Sequence, residues 1–190
     1  MAHVHLLRGM AAGLLAGAAA SWVMNQFQQV RAINPPPGPA QGGGRAGGSE
    51  AKSHAQEGRQ GEGQGMGSST NLDENATVQT AERISQRVLH RNLTESEKQI
   101  AGPAVHYAYG SLVGALYGGM AELLPVTGAG LGLPFGFALW ALGDEIAVPA
   151  LGLAKGPTEY SAEVHADALA AHLMYGLTTD VLRRFLRHVV

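Results

Sequence analysis

Five ionisable residues stand where an apolar chain should not carry them. His106 lies in the uncharged run 100–121, Asp144 and Glu145 interrupt the apolar stretch 123–154, and Asp167 and His172 share the last apolar segment with His165. An ionised side chain at mid-bilayer costs about 2.5–3.5 kcal/mol on insertion scales, so such residues face protein or water. Histidine titrates near neutral pH and carboxylates serve as its charge partners, which is the chemistry of a proton or small-ion relay. At 1.5 Å per residue, His172 falls about 15 Å into its helix and Asp144 about 14 Å from the far end of its own. His106 and Asp167 come out about 8–10 Å deep on the same side, which puts them in one layer. His165 and His172, seven apart, share a helix face, while Glu163 and Asp167 lie nearly opposite. Polar groups on two faces require the last helix to be surrounded by protein. Pro149 deprives the carbonyl four residues back, that of Glu145, of its helical donor. A carbonyl freed beside two carboxylates suits a cation, a proton relay or an ordered water.

Two other readings of the same residues stay open. The acids can pair structurally with His106, His172 or Tyr109. Alternatively, an aspartate and two histidines can hold a metal, with His106 and His172 as the candidate ligands, or histidines at equivalent positions can clamp a haem. No HxxH or HExxH spacing is present, and without cysteine no c-type haem attachment is possible. The expectation is therefore no cofactor.

The elements that must position these residues read as an all-α, polytopic membrane protein with four transmembrane helices and a long disordered loop. Residues 1–33 hold a first span whose core, 9–30, has no charge. Residues 34–76 are Gly/Gln/Pro-rich and cannot bury enough apolar surface to order themselves. Residues 77–98 carry an interfacial amphipathic helix, with Val78, Ala81, Ile84 and Val88 at three- and four-residue steps. Residues 99–190 supply three further spans, the first opened by the capping box Thr94-Glu-Ser-Glu97. His3, His5, Arg8 and the small residues Ala18 to Ala20 also fit a cleaved secretory signal, although apolar residues continue through Trp22 and Phe27. The terminal arginines favour both chain ends in the cytoplasm.

The pentapeptide His106-Tyr-Ala-Tyr-Gly110 recurs as His172-Leu-Met-Tyr-Gly176. Each follows a span with glycines at four-residue steps: Gly9, Gly13 and Gly17, then Gly128, Gly132 and Gly136. The spans therefore read as two parallel two-helix repeats, the loop being inserted in the first. Gly110, Gly114 and Gly118 continue the pattern as helix-packing residues that let backbones approach closely in lipid.

Composition narrows the function classes. The 190 residues contain 27 glycines, no cysteine and only 15% charged residues, with a formal net charge of −2. A thiolate zinc site, an iron–sulfur cluster and a cysteine nucleophile are excluded, and nothing draws the chain to nucleic acid. No GxSxG, Walker A or dinucleotide fingerprint appears, so the chain reads as a non-enzyme.

The Gly/Ala-rich first span followed by NPPPGP, the His106–Gly118 span, the acidic Pro-containing third span and the last helix with its double arginine together resemble the YagU-like family of bacterial inner-membrane proteins. The resemblance covers residues 9–39 and 101–187. It implies a multi-pass protein of the bacterial inner membrane and transfers no chemistry or site residues. The Gly/Gln-rich insert departs from the family pattern. The sequence thus leads to a small integral membrane protein passing protons or small ions along a His/Asp/Glu layer. Competing readings are a non-catalytic assembly protein and a haem- or metal-binding redox protein. The expected partners are the lipid bilayer and other membrane proteins or copies of itself.

Overall fold

The computed structural model describes residues 2–34 and 69–189, which are all-helical, with no strand among them. The expected disordered loop lies, over residues 35–68, outside the described residues. Its C-terminal end instead opens a helix, α2 (Ser69–Val88), earlier than the hydrophobic periodicity indicates. The long helices are α1 (Ala2–Ile33), α3 (Glu95–Leu123) and α6 (Ala162–Leu186). The third apolar stretch is shorter than expected. Its first part forms a 3₁₀ turn (Pro125–Gly128) and a tight loop in which Gly130, Leu131 and Gly132 all have positive φ. The rod then comprises α4 (Leu133–Leu139), a π-helix (Trp140–Ala147) and α5 (Val148–Ala150).

Glycine geometry explains the packing. A methyl on Gly13 would overlap the Gly114 carbonyl, one on Gly17 the Gly110 carbonyl and one on Gly118 the Gly9 carbonyl. These contacts form an antiparallel seam between α1 and α3 in which backbone meets backbone. The second seam, α4 on α6, repeats its register. Setting 9–17 on 128–136 and 106–118 on 172–184 turns Gly17–Gly110 into Gly136–Gly176, and both pairs touch. Gly13–Gly114 likewise becomes Gly132–Asp180. The sequence repeat is thus a repeat of helix-pair contacts. The two pairs join through α1, which lies antiparallel to α6 as well, with Ala20 and Met24 against Ala171 and Tyr175.

Helix α2 closes the end of the bundle opposite the chain termini. Arg83 donates to the carbonyls of Leu151 and Gly152 at 2.7 and 2.9 Å, satisfying the end of α5. Lys98 of α3 meets Glu82 at 3.6 Å. At the start of α3 the expected capping box is present: Thr94 Oγ1 accepts from the Glu97 amide and Glu97 Oε2 from the Thr94 amide.

Large apolar side chains point outward. Leu14, Leu15, Trp22, Leu112, Leu116, Phe137 and Leu142 are exposed, while the buried apolar residues are mostly alanines such as Ala12, Ala16, Ala20 and Ala171. Among the described residues one helix, over His5–Ile33, is long and apolar enough to cross a membrane by itself. Helices α3 and α6 have the length but interleave His, Tyr, Asp and Gly with their apolar residues.

Candidate functional site

The antiparallel seam between α4 and α6 continues into the π-helix and carries its two acids onto the histidine face of α6. His172 is buried, and its Nδ1 lies 2.9 Å from the Ala168 carbonyl and 3.5 Å from Asp144 Oδ2. With two acceptors around it, Nδ1 is the nitrogen that donates. Two turns nearer α2, His165 Nδ1 meets Glu145 Oε1 at 2.6 Å and its Nε2 donates to the Pro157 carbonyl at 2.9 Å. A carbonyl can only accept, so the short His165–Glu145 contact holds a further proton, on one partner or the other. The seven-residue step from His165 to His172 therefore meets two adjacent carboxylates.

The π-helix alters the role expected of Pro149. Val148 donates to the Gly143 carbonyl, five residues back. In that register the carbonyl opposite the missing proline N–H is that of Asp144, not that of Glu145 as α-helical spacing implies. Single π turns occur frequently at functional sites.

His106 reaches the same place from α3. It lines a cavity of about 300 Å³ together with Asp144 and His172. Asp144 also lines a smaller cavity of about 40 Å³ shared with Glu145, Lys155, Tyr160 and His165. Ala76, Asp144 and Val148 line both spaces. Asp167 does not join this layer. Its carboxylate is paired with Arg31 at the end of α1, through Nε at 3.0 Å and through a second guanidinium nitrogen. Depth counting missed the pairing because Arg31 lies just beyond the uncharged run of the first span. Among the described residues no group of three or more His, Asp or Glu is arranged to hold a metal.

A second polar cluster was not foreseen. Asp180, which from its position near a span end should meet water, is fully buried and accepts from Arg183 at 3.0 Å and Arg184 at 2.8 Å. Arg187 donates to Glu122 at 2.6 and 3.1 Å. Arg183 also lies over the Tyr117 ring, 5.7 Å from its centroid. The signal was in the sequence, as Asp180, Arg183 and Arg184 stand at three- and four-residue steps.

Between the two clusters Tyr175 donates to the Gly110 carbonyl at 2.6 Å, and Thr179 is fully buried. The polar groups of α6 thus form a seam from His165 through His172, Tyr175 and Thr179 to Asp180 and Arg183, about 27 Å long at helical rise. The chain matches no protein-family model, no curated protein and no solved structure. The YagU-like resemblance accordingly rests on the sequence motifs alone.

Proposed function

We propose that this protein is a four-helix, multi-pass protein of the bacterial inner membrane that passes protons along an internal His/Asp/Glu seam. The spans are α1, α3, the α4–α5 rod and α6. One observation carries the reading: a line of polar side chains along α6 in a bundle that exposes many large apolar residues, leucine foremost. In water that distribution leaves a large apolar surface unsatisfied. In lipid it is what helix association through small residues requires. The seam's length approaches the roughly 30 Å of a hydrocarbon core. His172 and His165 are the imidazoles of the seam, with Asp144 and Glu145 as their charge partners.

The test is proton flux into liposomes containing the purified protein, driven by a potassium gradient and read with an entrapped pH dye. Wild-type protein is expected to conduct, and the double variant Asp144→Asn, His172→Ala to fall to the level of empty liposomes. Unchanged flux in the double variant would reject the relay. If the wild type conducts nothing and the variant only loses helix association, the interhelical bonds Arg31–Asp167 and Tyr175–Gly110 carry the alternative, an assembly protein held together by the same seam.

A further inference from the structure

Both copies of the repeated pentapeptide face the larger cavity. His106 and Tyr109 line it from α3, and His172 and Tyr175 from α6. The proton path through His172 and His165 gives no part to His106 or to either tyrosine. Most of the remaining wall is carbon, from residues such as Met24, Leu139 and Leu153. Helix α3 packs chiefly on α1 and α2, and the π-helix on the rest of its rod and on α6, with the cavity between them. Tyr109, Ala147 and Leu151, which line it, are exposed, so the hollow opens to the outside of the bundle. Asp144 is the carboxylate on the wall, and the protein answers it: His172 Nδ1 lies 3.5 Å away, and His106 stands on the same wall. A charged guest would therefore bring an uncompensated charge into an apolar space. Ser21, on α1, also lines the cavity, is 1% exposed, and its Oγ has no hydrogen-bond partner in the protein. A buried hydroxyl left this way costs stability unless a guest bonds to it. An apolar, ring-lined hollow with a few converging polar groups is the form of a small-molecule site.

We propose that this cavity binds a neutral, lipophilic phenol that enters from the bilayer, its ring between the two histidine–tyrosine walls and its hydroxyl bonded to Ser21. The inference rests on the reading of the bundle as membrane-embedded, and not on proton movement. The cavity holds about 300 Å³, and a hollow of about 150 Å³ already accepts benzene, so a ring with a short tail fits. An aromatic ring packs edge-on or offset against tyrosine rings, which a plain alkyl chain does not exploit. A phenolic hydroxyl both donates and accepts, so it answers the serine in either orientation.

The experiment is calorimetric titration of the full chain in lipid nanodiscs with 4-propylphenol, empty nanodiscs supplying the partitioning background. Its counterparts are 4-propyltoluene, with a methyl in place of the hydroxyl, and the charged 4-propylbenzylammonium. Saturable binding of the phenol is expected, about 3–10-fold tighter than the toluene, with the cation weaker than the phenol. Ser21→Ala should erase the preference for the phenol and leave the toluene unchanged, whereas a mere packing role would weaken both alike. Tyr109→Ala, at an exposed position, removes one ring from the wall and should weaken both neutral guests. Circular dichroism establishes that the variants are folded, and Tyr109→Ala decides if Ser21→Ala is not. No saturable binding above empty nanodiscs, a cation bound as tightly as the phenol, a phenol preference that survives in folded Ser21→Ala, or undiminished affinity in Tyr109→Ala would each overturn the proposal. Phenol binding in a protein that moves no protons leaves this inference standing and rejects the relay. Proton flux without phenol binding does the reverse.

Discussion

Glu97 is held by three groups at once: the Arg91 guanidinium at 2.6 and 2.8 Å, the Thr94 amide and the Thr94 hydroxyl. The Arg91 bond, then the Thr94 bonds, pull its carboxyl down to about 2. A depressed carboxylate contributes stability that is complete above the unfolded value, about 4.3, and is lost as pH falls toward 2. The carboxyl carbon of Glu97 should therefore titrate near 2 by NMR, with the first turn of α3 fraying over the same interval. Thr94→Ala removes the other half of the box and should cost about 1 kcal/mol in unfolding from micelles. Asp180 presents the opposite situation, a charge with no exposure and two arginine partners. Asp180→Ala leaves the buried Arg183 without its closest acid, and about 3–5 kcal/mol of stability should disappear in the same unfolding assay. The capping box was legible because its four residues are contiguous. The burial of Asp180 was not, because it depends on Gly132 bringing α4 against α6.

At the level of elements, the glycines separate into those that hold helices together and those that do not. Gly114→Ala pushes a methyl into the Gly13 carbonyl and the Gly17 backbone. The resulting separation of α1 from α3 should cost about 1–3 kcal/mol. Gly143→Ala meets nothing within 4 Å and should leave stability within about 1 kcal/mol of wild type. Four-residue glycine spacing revealed the seams directly, since backbone approach needs only a missing Cβ. The π-helix left no such trace. Its extra residue per turn is a tertiary compromise that lets Asp144 face His172 while Glu145 faces His165. Deleting Gly143 should restore an α register, keep the helical content by circular dichroism, and abolish proton flux by turning both acids off the histidine face.

For the whole molecule, α2 lies at one end of the bundle, and the start of α1 meets the end of α6 at the other. Reporter fusions should therefore place α2 on one side of the membrane and the end of α6 on the other. Accessibility of both on the same side would reject the four-span arrangement. The all-helical class was legible from the uncharged apolar runs. The way the repeats join was not: two-fold symmetry would give α1 and α4 equivalent contacts, whereas α1 packs closely along both α3 and α6 and α4 reaches α3 through the Phe135–Tyr117 stack. That central place has a consequence for biogenesis. Gly17 of α1 meets Gly110 of α3, and the intervening stretch takes roughly 5–20 s to synthesise at ordinary translation rates. Throughout that interval the Gly9–Gly17 groove of the first helix is without its α3 partner, able to pair with the same helix of a neighbouring nascent chain. Crowded synthesis should therefore yield mispaired assemblies nucleated at the N-terminal helix, and slower expression should suppress them.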